Sequence, residues 1–280
     1  MWYPLGVMTS RAKAAMVGVG ILTACVPSGS AGPQDAGVSA TPAAPQATHS
    51  AAPTASIAPL PPSDTLKGPF EDDFDHPVAA HAPVDGAAIS ATSSLPEPGP
   101  DWIATAPGIW HVDGGRLCAE HARNHGIWLK HAIPTNARIE FDAVSQSPDG
   151  DLKAEYWGDG HSYATALSYT NATSYLTIFG GWHNTHHVLA RINEHATDRK
   201  DITVDANSDD PREKPVVAGQ VYHFKVERAD GKTVRWWVDG NEMLSYPDPA
   251  PLVGPGHDHF GFNNWDVKVC FDNVRVVPLP

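Results

Sequence analysis

An all-β sandwich is the fold this sequence predicts, on three observations. Apolar and polar residues alternate with period two over 137–143, 152–156, 221–227, 234–238 and 267–276, the pattern of strands with one buried face. Turn residues punctuate these runs, as at Asp113 to Gly115, Pro148 to Gly150, Asp159-Gly160, Asp230-Gly231 and Asp239 to Asn241. No stretch combines a 3.6-residue period with helix caps. Many short strands at this spacing in one domain mean a sandwich or a jelly roll.

The chain opens on a leader. Over 1–25, Arg11 and Lys13 precede an apolar run from Ala14 to Leu22, and Thr23-Ala24-Cys25 follows. This is the order of an export signal, and the run is too short to span a bilayer. Leu22-Thr23-Ala24-Cys25 resembles the lipobox of bacterial lipoproteins, which implies acylation of Cys25 and anchoring in a bilayer; Val26 after it carries no inner-membrane retention signal, so in a Gram-negative cell the outer membrane or cell surface is the expected place. Cleavage as a soluble secreted protein is the alternative. Residues 26–67 form a tether: 28 of the 42 positions are Ala, Pro, Ser or Thr, and none is aromatic. Such a composition cannot bury a core, and its Pro-rich pieces favour extended chain.

From Gly68 onward the chain holds 22 of its 24 aromatic residues, so 68–280 is read as one domain. The whole chain has 19 Lys and Arg against 32 Asp and Glu, a formal charge of −13. Loss of the leader, with two cations and no carboxylate, takes this to −15. Nucleic acid is therefore disfavoured as a partner, because binding phosphates requires a basic surface.

The segment from Val221 to Asp239, with its Trp236-Trp237-Val238-Asp239-Gly240 hairpin, is joined by an opening Phe70 to Phe74 and a closing Phe271 to Val276. Together they resemble the concanavalin A-like lectin/glucanase superfamily. The resemblance implies a jelly-roll β-sandwich over 68–280 and leaves activity open, since lectins, glycosidases, lyases and binding modules share this scaffold.

Alternation places Ile139, Phe141 and Ala143 toward the core, with Arg138, Glu140 and Asp142 outside; it likewise places Leu152, Ala154 and Tyr156 inward and Lys153, Glu155 and Trp157 outward. Glu140-Phe141-Asp142 resembles part of the carboxylate signature of laminarinase-type glycosidases. Val144 and Ser145 stand where its last carboxylate would be, so the catalytic candidates are Glu140, Asp142 and, as replacement, Glu155. Two segments pair a flat ring with polar donors: Trp182, His183 and Asn184, and Asn263, Asn264 and Trp265. Rings suit the C–H faces of sugars and the donors suit hydroxyls, so these residues, with Trp157 and Arg191, are the candidate glycan contacts. Core packing of the Trp residues is the alternative.

The resemblance also implies a structural Ca²⁺ where the first and last strands meet, with Asp73 and Asp272 as candidate ligands. The His-rich stretches around His183 to His187 and His257 to His259 lack the further ligands of a zinc site. In an exported chain with Cys25 acylated, Cys118 and Cys270 are expected to form a disulfide, two buried thiols being the alternative. The functional expectation is a lipid-anchored carbohydrate-binding protein. A glycoside hydrolase or polysaccharide lyase acting in the same cleft, and a non-catalytic envelope scaffold, are the alternatives.

Overall fold

The structure, a computed structural model, describes residues 65–75 and 96–280. The leader over 1–25 with Cys25, and nearly all of the tether, lie outside the described residues. The described chain forms β1 (Phe70–Asp72), β2 (Trp102–Ala104), β3 (His111–Val112), β4 (Leu117–Ala119), β5 (Ile127–Leu129), β6 (Ala137–Ser145), β7 (Leu152–Gly158), β8 (Tyr175–Gly180), β9 (His186–Arg191), β10 (Lys200–Thr203), β11 (Val221–Arg228), β12 (Thr233–Val238), β13 (Asn241–Pro247), β14 (His259–Asn263) and β15 (Val269–Pro278).

Two antiparallel sheets stack as a jelly-roll sandwich, the fold expected from the sequence. One has the order β13-β12-β11-β6-β15-β4-β3, with β1 also paired to β15. The other has the order β10-β9-β8-β7-β14-β5-β2. Because β6 occupies one edge of β15, β4 and β1 share its other edge, opposite 269–271 and 274–276 respectively.

The alternating residues of β6, β11 and β12 meet those of β7, β8 and β14 in the core. Its centre is aromatic: Phe262 stacks on Phe271 with ring centroids 4.0 Å apart, and Phe141 on Phe224 at 4.9 Å. Rings in such contact contribute beyond their area, about 0.5–1.5 kcal/mol per pair. The hairpin between β12 and β13 turns on Asp239 and Gly240, with φ of 48° and 79°. Two positive φ values make a type I′ turn, whose twist matches that of the flanking strands.

Three register shifts break strict alternation, one of them between Trp236 and Trp237 where β12 pairs with β13. Trp157 has φ 53°, and the pairing of β7 with β14 shifts register between His259 and Phe260. This bulge turns the Trp157 ring into the core, correcting the expectation that it faces outward; its Nε1–H donates to Pro134 O at 3.0 Å. Asn273, with φ 52°, makes the third, in β15.

Cys118 and Cys270 lie directly opposite each other on β4 and β15 and are bonded, with S–S 2.08 Å. The bridge joins positions 152 residues apart. In the chain-entropy account a loop of this length contributes up to about 5 kcal/mol. Replacing both cysteines with Ala should lower the unfolding free energy in urea by about 2–5 kcal/mol. An unchanged midpoint would show that the bridge adds nothing.

Candidate functional site

The outer face of the seven-stranded sheet carries the candidate site. Here β7 presents Lys153 and Glu155, alternating with the core residues Leu152, Ala154 and Tyr156. Tyr169, Ala164 and Ala172, from the segment between β7 and β8, pack on Leu176, Ile178, Val188 and Ala190 and cover part of this face. The uncovered part is a cleft of about 260 Å³.

One wall is the turn Gly181–Asn184, in which Trp182, His183 and Asn184 have φ of 51°, 57° and 60°. Left-handed backbone costs a non-glycine residue roughly 1–2 kcal/mol, so something must hold three in succession. The Asn184 amide does so, donating to Pro148 O at 2.9 Å and Val216 O at 2.8 Å while accepting from Val216 N–H at 2.9 Å. Gly180, at φ 76°, leads into the turn, and a Cβ there would lie 2.6 Å from Val216 Cγ2. Its N–H donates to Nδ1 of His187 at 2.9 Å, and His187 Nε2–H donates to Lys214 O at 3.0 Å. Burial holds His187 neutral by pushing its pKa down to about 4. The turn thereby sets the Trp182 ring into the cleft wall, with the Arg199 guanidinium 4.9 Å from its centroid.

Trp265 forms another part of the wall. Its N–H donates to Asp151 at 3.2 Å, and Arg123 lies 4.6 Å from its ring centroid. Arg123 is fixed in turn by Asp266 at 2.8 Å.

Lys153, 3% exposed, donates to Asn124 Oδ1 at 2.8 Å and Glu194 Oε2 at 3.0 Å. Burial pushes the Lys153 ammonium down, but Glu194 and Asp151 outweigh it and the net shift is upward. Glu194 is likewise pushed up by burial and brought below its ordinary value by Lys153 and by the Tyr169 N–H at 2.9 Å. Asp151 is raised: burial outweighs the pull of Lys153 and the single N–H it accepts.

Glu155 is sealed beneath the covering segment. It is fully buried and accepts from Ser174 Oγ at 2.6 Å, Asn263 Nδ2 at 2.6 Å and Tyr169 OH at 3.1 Å. Burial raises its pKa to about 7 despite these donors.

The structure separates the expected catalytic carboxylates. Glu140 and Asp142 lie on β6, on the outer face of the eight-stranded sheet, where Arg275 approaches Glu140 at 3.5 Å and His223 bonds Asp142 at 2.9 Å. Glu155 faces outward from the other sheet, so the aromatic core stands between it and Glu140. They form no catalytic pair. β6 and β7 are consecutive in sequence but not neighbours in a sheet, because the chain changes sheets between them.

Of the expected glycan contacts, Trp182, His183 and Trp265 line one cleft. Asn184 holds the turn, Asn263 binds Glu155, and Asn264 ties Ala122 N and Val267 O together. Arg191 is paired with Asp248 at 2.8 Å. Asp73 accepts from Asp75 N, and Asp272 accepts from Asn273 N and faces Arg116. Among the described residues no group of three or more His, Cys, Asp or Glu side chains converges to hold a metal. Asn124, Asp151 and Glu194 line the cleft with no sequence motif to mark them, and Lys153, expected on the outer face, lines it too; the legible signal is Asp151, Lys153 and Glu155 at alternate positions.

No protein-family model and no curated protein sequence matches the chain. Solved structures of similar fold include the carbohydrate-binding module CBM66 from Bacillus subtilis, 17% identical, with TM-score 0.47, covering 62% of this chain and 94% of that one. A Bacillus licheniformis β-glucanase is 11% identical, with TM-score 0.46, covering 75% and 98%. A native glycosidic hydrolase is 11% identical, with TM-score 0.49, covering 78% and 99%.

The buried Glu155 makes stability depend on pH. With its pKa raised from 4.5 to about 7, the native state keeps a proton that the unfolded chain releases earlier. Its contribution is full below the unfolded value and is lost as pH rises through the folded one. Across that window Glu155→Gln should remove a decline of up to about 3 kcal/mol, read from urea unfolding at a series of pH values. Parallel profiles for variant and parent would refute the assignment.

Proposed function

We propose that this protein binds glycans in the cleft between Trp182 and Trp265. The observation that carries the reading is that two indole rings from distant parts of the sequence line one cleft whose floor holds fixed polar groups, Asn124, Asp151 and Lys153. Indoles offer apolar faces to sugar C–H groups, while carboxylate and amide oxygens accept from hydroxyls. At about 260 Å³ the cleft falls just below the roughly 300–1,000 Å³ common for ligand sites, and it suits a short stretch of saccharide.

Hydrolysis has less behind it. Glu140 and Glu155 face away from each other across the sandwich, and Glu194 has both oxygens engaged by Lys153 and the Tyr169 N–H. Binding without turnover asks only for what the cleft offers.

Titration calorimetry against a panel of soluble polysaccharides tests the reading. Trp182→Ala and Trp265→Ala should each weaken binding about tenfold or more, while Glu140→Gln on the opposite sheet leaves it unchanged. Unchanged affinity in both Trp variants, or a panel in which no glycan binds, would favour the scaffold alternative. The Leu22 to Cys25 motif supports export and a lipid anchor at the outer membrane or cell surface. Mass spectrometry of the native N-terminus should find acylated Cys25, and an unmodified N-terminus elsewhere would overturn that part.

A further inference from the structure

Resting on the glycan-binding reading and deepening it, we propose that the cleft selects saccharides bearing a free, protonated amino group, with the Asp151 carboxylate as counter-ion. The cleft is lined by four carboxylates, Asp149, Asp151, Glu194 and Asp266, against one ammonium, Lys153. Three of the four carboxylates have partners. Asp149 faces His183 at 3.2 Å, Asp266 binds Arg123 at 2.8 Å and His121 at 2.7 Å, and Glu194 binds Lys153 at 3.0 Å. Among the described residues Asp151 forms no ion pair and accepts a single hydrogen bond, from the Trp265 N–H at 3.2 Å. It is the carboxylate with capacity left.

The cations of the site, by contrast, are spoken for. Lys153 is buried and directed at Asn124 and Glu194, so an anionic sugar finds no free ammonium there. Arg123 is held by Asp266; Arg199 donates to Glu194 O at 2.9 Å and faces Asp201 at 3.6 Å. The Lys153 charge acts on Asp151 only from beyond hydrogen-bond distance, and a ligand ammonium supplies what the carboxylate lacks, a cationic donor in direct contact.

Chitosan tetramer and chitin tetramer test this directly, since they share backbone and linkage and differ in whether the amine is free or acetylated. Measured by titration calorimetry at mildly acidic pH, the free-amine tetramer should bind about tenfold tighter or more. Asp151→Asn should reduce that preference to about twofold or less. Added salt should shrink the preference in the parent protein, a readout that does not depend on the variant folding.

Equal or tighter binding of the acetylated tetramer would overturn the amine selectivity while leaving glycan binding intact. A preference that survives Asp151→Asn in a folded protein, or that is indifferent to salt, would overturn the counter-ion role. If neither tetramer binds, the amine inference falls, and the glycan reading stands or falls separately on the polysaccharide panel.

Discussion

The Lys153 ammonium lies beneath the cleft floor, where it joins three segments far apart in sequence: β7, the stretch containing Asn124, and the one containing Glu194. Glu194 in turn receives the Tyr169 N–H, which fixes the segment covering Glu155. A buried ion pair adds little by itself, because desolvation offsets attraction, but losing one member strands an unpaired charge at a cost of about 3–5 kcal/mol. The outer layer of this sheet therefore stands as a unit. Cleft shape, the covering of Glu155 and the electrostatic surroundings of Asp151 all follow from one lysine being held where lysines are seldom found.

Strain is concentrated beside this pair. Three successive left-handed residues at Trp182, His183 and Asn184 are tolerated because the Asn184 amide satisfies backbone groups on two other segments and His187 stays neutral to receive Gly180 N–H. Backbone strain gathers where geometry serves a purpose other than stability. Here it places an indole at the rim of a cleft, which a relaxed hairpin between β8 and β9 would not do.

Much of the fold was legible because burial imposes a period of two wherever one strand face meets the core. Ile139, Phe141 and Ala143 on β6 and Tyr222, Phe224 and Val226 on β11 show it plainly. That period says nothing about which sheet a strand joins, so Glu140 and Glu155 looked like neighbours and are not. Nor does it reveal bulges: the extra residue in β7 sends Trp157 inward although the count sends it outward. The Trp182 and Trp265 segments were recognisable by chemistry, a ring beside polar donors, but their convergence depends on β8 and β14 flanking β7. An outward lysine on a strand is ordinarily a solvated one, and only the covering segments reveal Lys153 as buried.

The two guanidiniums resting on the cleft's indoles carry a consequence for how a ligand would be met. Arg199 on Trp182 and Arg123 on Trp265 restrict each ring before anything arrives. Little rotamer entropy is then left to lose on association, and affinity comes from complementarity already in place rather than from closing around the guest. Such a site recognises a rigid shape readily and adapts poorly to an altered one, so the breadth of ligands it tolerates is limited by its stiffness.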